Sequence, residues 1–195
     1  GALTDSGAIT VGSLAQIVST GQSVTLGDST SANFGSLDFA GAAVAIKEGS
    51  SRELAASEAT GALNLVASGA ITQSGAIDAD STASFAAGAN AITLTNASND
   101  FSGAVSLSNS GANNVIIDDA NDLVLGTVTI ATGNLNVDNA GTITQTGTGI
   151  VNVGGNTVLD NSDGDNADIT LANANNAFTG TVTITTDTGS DISKA

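Results

Sequence analysis

The chain has 195 residues and contains no Cys, His, Pro, Met, Trp or Tyr, and only five Phe. Each absence excludes something. Without Cys there are no disulfides, and the redox compartment cannot be read from bridges. Without His or Cys the usual nucleophile–base pairs of covalent catalysis are missing. Without Trp or Tyr an enzyme acting on sugars lacks its usual aromatic platforms. The hydrophobic fraction of 41% overstates the bulky core, because much of it is Ala. A thick core around large aromatics is therefore not expected. Basic residues are equally scarce: three Lys and Arg against nineteen Asp and Glu give a net charge of −16. Nucleic acid is not expected as a partner, since phosphate binding needs cationic side chains to release counterions. The same balance argues against anionic membrane surfaces. No apolar run is long enough to span a bilayer, so no membrane insertion is expected.

What the chain has is repetition. Gly69-Ala70-Ile71-Thr72-Gln73-Ser74-Gly75 returns as Gly141-Thr142-Ile143-Thr144-Gln145-Thr146-Gly147, and Gly1-Ala2-Leu3-Thr4-Asp5-Ser6-Gly7 foreshadows it. The copies therefore start at Gly1, Gly69 and Gly141. A second marker keeps the same order. Ile92-Thr93-Leu94 leads to Asp100-Phe101-Ser102-Gly103, and Ile169-Thr170-Leu171 leads to Ala177-Phe178-Thr179-Gly180, a somewhat wider spacing than that from Gly69 to Gly141. The first copy reads Val24-Thr25-Leu26, then Asn33-Phe34-Gly35. The units run 1–68, 69–140 and 141–195, the last partial, in a single segment. The chain starts and stops partway through a unit and is read as a piece of a longer protein.

Short apolar-polar-apolar triplets dominate, among them Leu63-Asn64-Leu65, Val105-Ser106-Leu107, Val128-Thr129-Ile130 and Val182-Thr183-Ile184. Alternation with period two puts the outer residues of each triplet on one face of a strand. Gly, Asn, Asp and Ser lie between, and suit tight corners. Strands this short, stacked in ladders, predict an all-β fold: a right-handed parallel β-helix, or β-solenoid, of about eight or nine coils. Each unit of about 70 residues is then three coils of roughly 23. The alternative is an antiparallel sandwich, against which hairpin signals are scarce, Asp163-Gly164 being the one pair of that type. Phe34, Phe101 and Phe178 are expected to stack at the same place in successive repeats. Lys47 to Glu58 breaks the pattern, holding two of the three basic residues and every Glu. It reads as a solvated corner or short helical turn, or else as a partner-binding protrusion.

The order Gly-Ala-Ile-Thr-Gln, Leu-Thr-Leu, Asn-Asp-Phe-Ser-Gly-Ala-Val-Ser-Leu, a Gly-Asn-rich corner and Asp-Ala-Asn-Asp-Leu-Val-Leu resembles the repeats of filamentous-haemagglutinin-type exoproteins. The resemblance covers essentially the whole chain. It implies a right-handed β-helical stalk that is secreted and associated with the bacterial cell surface. Export would use a partner pore or an autotransporter route, and the role would be adhesion or biofilm contact. Partners would be a host or matrix surface, protein or polysaccharide, met by other parts of the parent protein.

No catalytic residue is assigned. Asp118, Asp119 and Asp122 are the carboxylates that a polysaccharide-active β-helix enzyme would use, although Asp-rich corners are common turn formers. For a metal, Asp160, Asp163, Asp165 and Asp168 place four carboxylates within nine residues, and calcium is the cation such a loop would take. The spacing does not fit an EF-hand, and the loop is an insertion relative to the preceding unit. No other cofactor is expected. Thr93-Leu94-Thr95, Thr127-Val128-Thr129, Thr142-Ile143-Thr144 and Thr183-Ile184-Thr185 invite an ice-binding reading. Their spacing is too irregular for one pair per coil. Asn96-Ala97-Ser98 matches a glycosylation acceptor, but such triplets recur by chance in a chain rich in Asn and Ser. The expected function is therefore a structural stalk segment of a secreted adhesin. The alternative is a subunit of an extracellular filament held by end-to-end homo-association.

Overall fold

Val24–Leu26 shows the local rule from which the structure is built: Val24 and Leu26 are buried and Thr25 faces outward. Leu63–Ala67, Ile92–Leu94 and Val105–Asn109 alternate the same way. One apolar face per strand must be covered, and here it is covered by the strands of the opposite sheet. In the computed structural model, residues 1–28, 30–162 and 167–187 are described, with the backbone of 192–194. The described residues are all-β, with no helix, and form two twelve-stranded sheets.

Every described strand pair is parallel, and partners lie about one coil apart. In the first sheet the register runs from Leu3 through Val24, Val44, Leu63 and Ala83 to Val105. It continues from Leu107 through Val128 to Val151, and Asn152 pairs with Ala177. That is a β-solenoid of about eight turns, roughly 40 Å long at about 4.8 Å per turn. The core is a set of ladders between the sheets. In the second sheet Leu94, Ile117, Val137 and Leu159 stack in register, each at most 1% exposed.

The coil and the repeat do not match in the expected way. The step from Val24 to Val44 is one coil, shorter than three coils per unit would require. Ile71 stacks through Ile92 and Val115 to Leu135, which is three coils. Ile143, its repeat partner, comes half a coil later and lies in the first sheet. The second marker behaves identically: Ile92 reaches Thr157 after three coils, and Ile169 lies half a coil beyond, on the opposite sheet. The repeat thus spans three and a half coils, and successive copies of a motif occupy opposite faces.

This half-turn also moves the bend. In the early coils the second sheet carries two short segments per coil, such as Ile71–Gln73 with Ile77–Ala79. In the late coils the first sheet does, with Ile143–Gln145 and Val151–Val153. Leu123–Ile130 is where the change occurs, since it pairs with both of those strands. The phenylalanines follow the same logic and do not form the expected column. Phe34 and Phe101 belong to the second sheet and Phe178 to the first. Phe101 instead meets Phe85 edge to face, with centroids 6.0 Å apart.

Corners are tight because coils are close. Gly27 has a positive φ of 77°, and a Cβ there would land on the Lys47 carbonyl of the next coil. Replacing Ile117 by Ala, in the middle of its ladder, is expected to cost about 2–5 kcal/mol. Replacing outward-facing Ile116 by Ala is expected to cost under about 1 kcal/mol. Urea unfolding of the two variants checks this, and equal losses would contradict the ladder.

Candidate functional site

The segment Lys47 to Glu58 is neither a helical turn nor a protrusion, and the solvated corner within it is Gly49, Ser50 and Ser51. The segment contributes to three strands, Val44–Glu48, Arg52–Leu54 and Ser57–Ala59. Strand alternation turns Glu48 and Arg52 inward, and both side chains are fully buried. Arg52 Nη2 donates to Glu48 Oε1 at 2.6 Å and to the Phe34 carbonyl at 2.6 Å. The guanidinium carbon lies 5.6 Å from the Phe34 ring centroid. Glu48 Oε1 also accepts from Phe34 N and Ser50 Oγ. Burial raises the Glu48 carboxyl above its usual range, against the opposing pull of Arg52. The pair ties its coil to the preceding one through Phe34, while the Arg52 backbone pairs with Ile71 of the coil that follows.

A second polar device appears twice. Gln73 Nε2 donates to Asn99 Oδ1 at 2.8 Å, and Asn99 Nδ2 returns a bond to Gln73 Oε1 at 3.1 Å. Asn99 Oδ1 also accepts from Ile77 N, and Gln73 Oε1 from Asn96 N. In the next copy Gln145 and Asn176 make the same reciprocal pair at 2.7 and 2.9 Å. Asn176 Oδ1 accepts from Val151 N, and Gln145 Oε1 from Asn173 N. These amide clamps fasten one coil's bend to the next. They satisfy backbone groups that the bend takes out of the ladder. The first copy has Asp5 where Gln belongs and Ala32 where Asn belongs. There Asp5 Oδ1 accepts from Gly27 N instead.

The carboxylates considered for catalysis do not converge. Asp118 and Asp119 are adjacent on Val115–Asp119 and point to opposite sides of the sheet. Asp119 is 1% exposed and accepts from Phe101 N. Asp122 sits in the following corner, where its Oδ1 accepts from Thr142 N. Of the calcium candidates, Asp163 and Asp165 lie outside the described residues. Asp160 accepts from Ser162 N and Oγ, and Asp168 is exposed, its carbonyl accepting from Ile143 N. Among the described residues no group of three or more acidic side chains is placed to hold a metal ion. Carboxylates nevertheless stack in register. Glu58, Asp78 and Asp100 form one outward column, and Asp118, Asp138 and Asp160 another. Burial, with Asp80, Asp100 and Glu58 nearby, raises Asp78 above its usual range. The Thr pairs are divided between faces: Thr93 and Thr183 lie in the second sheet, Thr129 and Thr144 in the first.

Residues 40–108 and 112–185 each match the family model described as repeats of unknown function (DUF5649). The chain belongs to this family. Its two matched DUF5649 units begin at 40 and 112, the same spacing that separates Ile71 from Ile143. No curated protein and no solved structure matches the chain. In the DUF5649 units the recurring Gln and Asn are visible as repeated letters, but their pairing across coils is not. The inward placement of Glu48 and Arg52 is signalled by strand alternation through Ile46-Lys47-Glu48 and Arg52-Glu53-Leu54.

Arg52→Met alone leaves a buried carboxylate without its cation and is expected to cost about 3–5 kcal/mol in chemical unfolding. Combining it with Glu48→Gln is expected to recover most of that loss. A single variant as stable as the parent would show that the ion pair is not a structural tie.

Proposed function

We propose that this segment is a stiff spacer: part of the stalk of a large secreted bacterial surface protein that holds adhesive or matrix-binding regions away from the cell. The observation that carries this reading is the parallel ladder that runs coil by coil from Leu3 to Ala177, with one register shift between Val105 and Leu107, so that every coil is paired with the one before it. Such an array stiffens along one axis and extends by adding units. The likeness of its repeats to filamentous-haemagglutinin-type exoproteins supports secretion, surface association and a role in adhesion or biofilm. On this reading the segment does no chemistry. Contacts with host or matrix protein or polysaccharide belong to other parts of the parent protein.

A second reading, a subunit of an extracellular filament, is favoured by one feature. The strand Thr10–Ser19 pairs only with Asn33–Gly41 among the described strands, and exposes Leu14 at 49% and Val18 at 67%. An open edge with apolar side chains invites end-to-end stacking. Electron microscopy of the purified segment tests both readings. Monodisperse rods of roughly 40 Å are expected of a spacer. Long fibres growing from the rod ends would overturn it in favour of the filament.

A further inference from the structure

A column of buried amides runs through the middle of the solenoid, and one rung is an acid. Ala120 N donates to the Asn99 carbonyl, which sets Asp119 over Asn99. Asp119 pairs with Asn139 in register. Asn161 follows Asp160, the partner of Asp138, and so continues the column. All four are at most 1% exposed. Each asparagine gives its amide N–H to a backbone carbonyl. Asn99 Nδ2 donates to Asp118 O, Asn139 Nδ2 to Thr142 O and Asn161 Nδ2 to Ala167 O. Asn99 Oδ1 accepts from Ile77 N, and Asp119 Oδ1 takes Phe101 N in the same way at 3.0 Å. Asp119 has no counterpart to the donor half, since an ionised carboxylate has nothing to donate; its Oδ2, like Asn139 Oδ1 and Asn161 Oδ1, is buried with no donor facing it.

The previous repeat marks the contrast. There Glu48 takes the Phe34 N–H as Asp119 takes that of Phe101, and Arg52 neutralises it at 2.6 Å. No Lys, Arg or His occurs between Arg52 and Lys194. The titratable groups around Asp119 are all acidic: Asp100 on the strand beneath, Asp118 on its own strand, Asp138 on the strand above and Asp122 in the corner. The bond from Phe101 to Asp119 also joins the two DUF5649 units, 40–108 and 112–185.

We propose that Asp119 is a proton-operated latch at the seam between the two repeat units, closing it when protonated and loosening it when ionised. The protonated acid is a near-isostere of the asparagines on either side. Its O–H then has the donor role of their Nδ2, toward the corner carbonyl three residues on, as Asn139 reaches Thr142. Ionised, it is a buried charge in an acidic surround. Burial first, then Asp100 and Asp118, push its carboxyl from an ordinary 3.8 up to about 6, against the Phe101 and Ala120 donors. The folded seam therefore binds the proton more tightly than the unfolded chain. Its contribution is fully present below about 4 and is lost as pH rises through about 6.

The test is hydrogen exchange at Phe101 and Ala120 at pH 5 and pH 7.5, corrected for intrinsic exchange, in the parent and in Asp119→Asn. A carbon-13 titration of the Asp119 carboxyl accompanies it. Protection in the parent is expected to fall about 10-fold toward pH 7.5, with the carboxyl titrating near 6. Asp119→Asn is expected to keep high protection at both pH values. Titration near 4, or an unchanged pH dependence in Asp119→Asn, would overturn the proposal. Failure of Asp119→Asn to fold would do so as well, since its neighbouring rungs are already asparagine.

Discussion

Everything in this molecule depends on one constraint: each strand's backbone groups must be met by a parallel strand one coil away. The structural period is therefore a single coil, the step from Val24 to Val44. The sequence repeats instead over the much longer step from Ile71 to Ile143. Three and a half coils reconcile the two. The half-turn means that one motif must fold equally well on either face. Such an interchange works only if both faces offer the same environment, a flat apolar ladder inside and a polar rim outside.

Polar groups enter this interior mainly where they replace a lost ladder bond. The Gln73–Asn99 and Gln145–Asn176 clamps stand at bends, where the backbone leaves the sheet. A neutral amide donates and accepts at once, so it satisfies such a site without a charge. Glu48 and Asp119 do the same work with half the capability. Glu48 has a cation beside it, and Asp119 has a proton to gain. The outward carboxylate columns add repulsion between coils that the ladder must exceed, and at Asp78 burial and its acidic neighbours raise the carboxyl above its usual range.

Much of this is legible in the sequence, and the failures share one cause. The triplets reveal strand type, inward face and stacked architecture because period-two alternation is local. The number of coils per repeat is not local. It depends on corner lengths, and the uneven spacing of Gly1, Gly69 and Gly141 suits both three long coils and three and a half short ones. The Phe column fails for the same reason. Lys47 to Glu58 misleads because charge suggests solvent, although alternation places Glu48 and Arg52 on the buried face. The partners in each amide clamp are far apart in sequence, Gln73 with Asn99 and Gln145 with Asn176. Only a known coil length shows that these are neighbouring turns.

The half-turn is open to one direct distance measurement. The chain has no Cys, so Thr72→Cys and Thr144→Cys place two spin labels at repeat-equivalent positions without background. Opposite faces, three and a half coils apart, predict a separation of roughly 30 Å between outward-reaching labels, given coils spaced by about 4.8 Å and sheets about 10 Å apart. A separation of about 15 Å would put both labels on one face three coils apart, and would contradict the account.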